Sequence, residues 1–534
     1  MEPQIRTLVD IAGSKADLHG RADMMLERAR WAGQIFQRYD RPATMAIVDA
    51  VARAAHANAG KYADWAVEET GFGVAAHKKL KNELSSTGLV DFYRNDDYVN
   101  PRIDADARMV RIPRPAGVVF ALTPSTNPVA TLNYKVLLAL MTRNAIVISP
   151  HPAARACCVD AARTLMAAAL EAGAPDAIIQ IVEEPSIPFI EEFMASPKTS
   201  VILATGGNAV VRAAYSSSNP AIGVGPGNAP VYVDPSADID KAARRIVDGK
   251  SFDNSVLCTN ESVVLTLPEV DKQLRRAMQA AGAYFCEPEE TERLRALLFH
   301  PRGFNVACVG RDATLIAQDA GIRVPRNTRI LVTPIDQIGV EERLSKEKLC
   351  PVLAYHVAKN RSQALTHARA ILRMTGAGHS AAIHANDPAV VMAYGNAVEA
   401  YRIVVNSPCS QGAAGFGTNL APTFTVGTGY FGRSSIGENV GPQHLVHWSR
   451  IAYSTDADVR FGNFDNVGPR FEGPLPTAPA DGMPGSAAPR RPAARVAGGS
   501  SGSAPSGGSA LSDAARDELR RLIAEELRAV LKER

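Results

Sequence analysis

Apolar residues between positions 17 and 71 recur at steps of three and four: Met25, Ala29, Ala32, Ile35 and Phe36, then Ile47, Val51, Ala54 and Ala55. That period puts them on one face of helices, so the chain is expected to open on a helical segment. The pattern then changes. Residues 117–122, Gly-Val-Val-Phe-Ala-Leu, form a short unbroken apolar run, residues 128–140 return to helical spacing, and 145–149 form a second apolar run. Such runs read as strands buried on both faces, and the three segments together as a βαβ unit. An Ala-rich helical stretch over 153–172 follows, then strands over 178–182 and 200–204, the last leading into Thr205-Gly206-Gly207. This alternation predicts a doubly wound parallel sheet. Strand signals near 230–233, 261–267, 328–332 and 352–357 predict a second α/β domain.

At 534 residues the chain exceeds the size at which a single core stops growing, in keeping with that division. Between 473 and 510, Gly, Pro, Ser and Ala dominate, and only Leu475, Met483 and Val496 are sizeable apolar residues. Too little surface can be buried there to offset chain entropy, so 466–510 is expected to be a flexible linker. Beyond it Leu511, Ala515, Leu519, Leu522, Ile523, Leu527, Val530 and Leu531 share one helical face, with Ser512 placed to cap it. A helix over 511–534 is marginal alone and needs an apolar partner.

Composition narrows the function class. With 58 basic against 55 acidic residues, and no basic block interleaved with aromatics, nucleic acid is not an expected partner. No run of about 18 apolar residues occurs, and residues 1–20 lack a secretory apolar core, so no membrane association is expected and a cytoplasmic location is. Seven cysteines without regular spacing read as reduced thiols, and with no CxxC pair a metal site is not expected.

One cysteine has a distinctive setting. Beside Val256 and Leu257, Cys258 would ordinarily pass for a small core residue. It follows a polar, turn-rich approach, Ser251-Phe-Asp-Asn-Ser-Val-Leu-Cys258-Thr-Asn260, and precedes the 261–267 strand. The segment resembles the nucleophile loop of the aldehyde dehydrogenase superfamily, and further motifs in the same order extend the resemblance over about residues 17–448. The resemblance implies Cys258 as nucleophile, NAD as cofactor, and two doubly wound α/β domains with a small oligomerisation region. Residues 1–92 and 113–226 would then bind NAD, 227–415 would form the catalytic domain, and 93–112 with 416–465 would bridge subunits, as a homodimer or homotetramer.

Thr123-Pro124-Ser-Thr126-Asn127-Pro128 stands where the superfamily has a Pro-Trp-Asn-x-Pro loop whose asparagine donates to the oxyanion. Keeping the prolines in register selects Thr126; matching residue type selects Asn127. Either could act beside the Cys258 backbone N–H. Ser149-Pro-His151-Pro152 replaces a strand end that usually carries a ribose-binding lysine, and is similar to the coenzyme A-acylating branch, in which this pocket is modified. Gly206 and Gly207, at a strand-to-helix turn, fit the pyrophosphate position. Glu347-Lys-Leu-Cys-Pro-Val352 resembles the Glu-x-Phe-Gly-Pro-Val motif, which gives Glu347 the nicotinamide ribose.

Hydrolytic members carry a general-base glutamate 34 residues before the nucleophile; here that position is Val224, within Gly223-Val-Gly-Pro-Gly-Asn-Ala-Pro230. A valine accepts no proton, so the thioester should resist water and pass to the thiolate of coenzyme A. Ala377-Gly-His379-Ser-Ala-Ala-Ile-His384 is similar to the acylating branch, which implies that His379 stands near the nucleophile or the incoming thiol. The tethered helix 511–534 resembles the encapsulation peptides of bacterial microcompartments and implies shell proteins as partners, a lumenal location, and a small aldehyde, propionaldehyde before acetaldehyde. An inactive scaffold joining cargo to a shell is the alternative.

Overall fold

The computed structural model describes residues 15–465 except 302, together with 467, 468 and 479. Helices Lys15–Phe36, Arg41–Ala57, Ala59–Thr70 and Ala75–Glu83 come first. Asp40 caps the second by accepting the Ala43 N–H at 2.9 Å, and Gly71, at φ 72°, ends the third in the left-handed conformation that a residue without Cβ adopts freely. The apolar stripe Ile47, Val48, Val51 and Ala55 is fully buried, as the helical spacing required.

Two parallel sheets carry the fold, and their strands alone are numbered. The first comprises β1 (Val118–Leu122), β2 (Ala145–Ser149), β3 (Ile179–Ile181), β4 (Val201–Thr205) and β5 (Ala221–Val224), in the order β3-β2-β1-β4-β5. Every residue of β1 and β2 is buried, because helices cover both faces of such a sheet and make its strands apolar throughout. The strand order reverses between β1 and β4. Helix Pro128–Met141, buried along its whole length, places Lys135 there, with Nζ donating to the carbonyls of Leu122 at 2.6 Å and Leu203 at 2.8 Å.

The second sheet comprises β6 (Ala229–Val233), β7 (Glu261–Thr266), β8 (Ala283–Phe285), β9 (Ile330–Pro334), β10 (Val352–Val357), β11 (Gly378–His384) and β12 (Ala400–Val405), ordered β8-β9-β10-β7-β6-β11-β12, all parallel. A three-stranded antiparallel sheet joins Arg102–Asp104, Met109–Pro115 and Val446–Ala452. The doubly wound α/β architecture expected from the pattern is the one observed.

The differences are local. Helix 153–172 starts at Arg155, because Pro152–Ala154 form a 3₁₀ turn capped by His151. The strand expected near 328 begins at Ile330, because Thr328 closes a turn onto the Pro325 carbonyl. Strand β12 lacks a clean apolar pattern because of Arg402, which is buried and donates to the carbonyls of Gly378, His379, Gly427 and Gly437. Helix 511–534, and the linker before it apart from residues 467, 468 and 479, lie outside the described residues. Among described residues, no helix is long and apolar enough to cross a membrane, and no group of three or more His, Cys, Asp or Glu side chains could hold a metal.

Candidate active site

A cavity of about 400 Å³ opens at the carboxyl ends of β1, β2, β4 and β5, where the strand order reverses, and is closed on its far side by the second domain. This is the usual ligand position in an open α/β sheet. Thr123 and Pro124 follow β1, Ser149 ends β2 with His151 and Pro152 after it, and Gly206 and Gly207 follow β4; all line the cavity. Gly207, itself part of the lining, is the N-cap of helix Asn208–Ser216, whose first-turn N–H groups have no side-chain cap. The Thr123 and Ser149 hydroxyls are buried there without a partner, a condition that costs free energy unless a ligand supplies one. His151 accepts the Ala153 N–H at 3.1 Å, and burial lowers its pKa to about 4, so it is neutral. Glu347 lines the opposite wall and accepts the Gly227 N–H at 3.2 Å; burial pushes its pKa up to about 8. Orphaned hydroxyls, a helix N-terminus and an acid across the cavity together fit a dinucleotide.

Cys258 lines the same cavity and is the one cysteine of the seven that is not fully buried. The turn before it holds three successive residues at positive φ, Asp253 (49°), Asn254 (49°) and Ser255 (65°). Each is disfavoured for a residue with a Cβ and persists only when surroundings hold it. They do: the Asp253 carboxylate accepts the Val74 N–H at 2.6 Å, Lys78 Nζ at 3.1 Å and Lys81 Nζ. The Asp253 N–H donates to His77 Nδ1 at 2.9 Å, and Asn254 Nδ2 donates to the Gly310 carbonyl at 3.0 Å and to Asp312 Oδ1 at 2.8 Å. Gly73, at φ 84°, lies so close to the Asp253 carboxylate that a Cβ would collide with it.

The same two lysines reach the loop after β1. Lys78 Nζ donates to the Thr126 carbonyl at 2.9 Å, and Lys81 Nζ to Asn127 Oδ1. With its oxygen facing a cation, Asn127 turns Nδ2 toward the Val256 carbonyl, at 3.3 Å, and Thr126 Oγ1, at 3.3 Å. None of the sequence motifs pointed to Lys78 or Lys81, and the nucleophile-loop motif contained Asp253 without giving it a role. The signal available was a pair of lysines three apart, which on one helical sequence reads equally as a solvated face.

Burial, reinforced by Glu347, pushes the Cys258 thiol up to about 12, against its own backbone N–H, Arg402 and Lys81. The resting group is therefore a thiol rather than a thiolate.

Comparison with known proteins agrees with this geometry. Residues 9–285 match the aldehyde dehydrogenase family. The chain is 36% identical over 431 residues to succinate-semialdehyde dehydrogenase (acetylating) of Clostridium kluyveri, covering 80% of this chain and 95% of that one. The chain belongs to the acylating aldehyde dehydrogenase family. It spans about half the length of the first curated relatives it matches: the aldehyde-alcohol dehydrogenase of Clostridium acetobutylicum is 38% identical over 419 residues, 77% of this chain and 47% of that protein. A propionaldehyde dehydrogenase from the fucose utilisation microcompartment of Clostridium phytofermentans shares the fold with a TM-score of 0.73 at 30% identity, over 82% of this chain and 98% of that one.

Two further positions bear on the chemistry. Val224, at the end of β5, is buried against the cavity, and among the described residues lining it Glu347 is the sole carboxylate. His379 is placed differently from the other candidates. It is fully buried at the start of β11 and does not line the cavity. Its Nδ1 lies 3.0 Å from Ser380 Oγ, Nε2 has no partner, and burial beside Arg402 lowers its pKa to about 3. Gly227 separates it from Cys258: a Cβ there would collide with the Cys258 carbonyl and lie 3.2 Å from His379 Nδ1.

Proposed function

We propose that this protein oxidises a short, uncharged aldehyde to its acyl-coenzyme A with NAD, through a thioester on Cys258. The single observation that carries this reading is Val224, with Glu347 as the sole carboxylate among the described residues of the cavity wall. At position 224, where hydrolytic members carry their general-base glutamate, the valine cannot deprotonate water.

Cys258 Sγ attacks the aldehyde carbon and the thiol proton passes to solvent, while the Cys258 backbone N–H and the Asn127 amide, with Thr126 as the competing donor, take the developing charge on oxygen. Bound across Gly206, Gly207 and Glu347, NAD would supply the acceptor for the hydride that leaves that carbon. What remains is an acyl group joined to Sγ. The thiolate of coenzyme A then adds to the acyl carbon, the Sγ–carbon bond breaks, and the Cys258 thiolate takes a proton back from solvent. Ping-pong kinetics follow. His379, placed behind Gly227, serves the outgoing or incoming thiol only if a movement brings Nε2 to the cavity.

No lysine or arginine is found among the described residues lining the cavity, while Phe304, Val306, Val309, Leu349 and Phe424 are. An anionic aldehyde would bring an unpaired charge into this wall, which supports an uncharged substrate. Propionaldehyde is our first choice and acetaldehyde the second. We also assign the enzyme to a bacterial microcompartment lumen, with residues 511–534 docking on shell proteins and the protein assembling as a homodimer or homotetramer. The amphipathic pattern of the tail supports the first, and the exposed Tyr401 and Val405 on edge strand β12 support the second.

The decisive assay follows NADH with an aldehyde panel, with and without coenzyme A. Activity that requires coenzyme A and disappears in Cys258→Ala is expected; equal rates without coenzyme A, or a Cys258→Ala protein that still turns over, would overturn the reading.

A further inference from the structure

The nucleophile and the candidate oxyanion donor come from different loops, 253–258 and 123–127, and neither loop alone fixes its own geometry. Lys78 and Lys81 touch both. Lys78 Nζ spans from the Asp253 carboxylate at 3.1 Å to the Thr126 carbonyl at 2.9 Å, and Lys81 Nζ spans from the Asp253 carboxylate to Asn127 Oδ1. All of these side chains are buried; Lys81 is 1% exposed and Asp253 0%. When Lys81 is protonated, two ammonium groups against one carboxylate leave a surplus positive charge inside the protein, and a packed apolar cluster would have been cheaper as mere structure. A surplus cation needs a reason, and the group nearby that gains a negative charge during the reaction is Cys258.

We propose that Lys81 is a positioning residue, which holds the Asn127 amide oxygen so that Nδ2 stays against the nucleophile loop at the Val256 carbonyl, and which lends its charge to the Cys258 thiolate as that forms. The inference rests on the reading of Cys258 as nucleophile. Because a cation must face the amide oxygen, Asn127 cannot flip without losing this contact. The electrostatics run in the same direction. Burial, with Lys78 adding to it, lowers Lys81 to about 7, while Asp253 and Cys258 oppose the fall. His77, whose own pKa burial lowers, completes the titratable groups on this side, and Glu347 and Arg402 face Cys258 from the second domain. Ionisation of the thiol and retention of the Lys81 proton therefore favour each other.

The test uses the full chain without added cofactor and measures the rate of Cys258 alkylation by iodoacetamide from pH 6 to pH 10, with the labelled residue identified by mass spectrometry. The other six cysteines are buried. Lys81→Met should move the profile up by about one pH unit, a roughly tenfold slower reaction at fixed pH, since the thiolate is the reacting form. Lys81→Arg, which keeps the charge, should restore most of it. Lys81→Gln keeps an N–H donor and decides the matter if the Met variant does not fold: it should retain the thermal midpoint while showing the same upward shift. A wild-type profile in the Gln variant, or an Arg variant as slow as the folded Met variant, would overturn the proposal. Label on a residue other than Cys258 would instead overturn the assignment of the nucleophile.

Discussion

Replacing Val224 by glutamate should turn a thioester carrier into a hydrolase. Val224 is 2% exposed and sits at the wall of a cavity of about 400 Å³, so the added carboxylate has open volume to enter and need not be forced into packed core. Its acidity can be anticipated from the one carboxylate in the same wall: burial raises Glu347 to about 8. A glutamate at 224 with a pKa of about 8 would be ionised in roughly one molecule in ten at pH 7 and mostly ionised at pH 9. General-base assistance contributes about 10²–10⁴-fold, so even a tenth of the molecules should raise water attack on the thioester by at least about tenfold at pH 7. NADH formation from propionaldehyde without coenzyme A, together with free acid released, measures it. The rate should climb from pH 7 to pH 9. If Val224→Glu keeps its coenzyme A-dependent turnover yet shows no more coenzyme A-independent NADH than wild type over that range, the absence of a base is not what protects the thioester.

Asn127→Ala should lower kcat about 10²–10³-fold, the loss expected on removing one oxyanion donor, with Thr126→Ala much milder; a reversed ranking in steady-state assays would give the role to Thr126. Asp253→Ala should cost about 3–5 kcal/mol in chemical denaturation, because it leaves two buried lysines without their carboxylate. Glu347 has a folded pKa raised from 4.5 to about 8, so the protonated form is the one folding prefers. Its contribution is complete below pH 4.5 and is lost as pH rises through about 8. Glu347→Gln should therefore flatten the decline of thermal midpoint across that window, and an unchanged slope in calorimetry would contradict the burial assigned to this acid. Deleting 511–534 should leave turnover intact and abolish co-purification with shells; undiminished packaging would remove the tail from the account.

The alternating apolar runs were enough to read both parallel sheets, because strands such as Val118–Leu122 and Ala145–Ser149 are buried on both faces and carry no polar residue before their ends. The cavity wall was legible too, since loops at the carboxyl ends of those strands must face it. What the linear pattern hid was polar burial. Lys78 and Lys81 look like one side of a solvated helix until Asp253 is placed against them, and Arg402 looks like a strand breaker until four carbonyls gather around its guanidinium. His379 is instructive in the other direction: its motif suggested proximity to the nucleophile, and the fold sets it nearby but behind Gly227. Spacing along a chain gives neighbourhood, whereas exposure to a cavity depends on what packs in between.

The strained turn ahead of Cys258 depends on Gly73, Val74, His77, Lys78 and Lys81, all of which precede it by more than 170 positions. A ribosome therefore delivers the seat well before the segment that sits in it. Until Asp253 arrives, that seat holds two ammonium groups with no carboxylate between them, and the cysteine that follows has no fixed shape of its own. The turn that seats the reactive thiol thus draws on segments far before it and, through the Asn254 contacts to Gly310 and Asp312, after it, so a chain truncated before residue 312 would lack part of what holds the nucleophile in place.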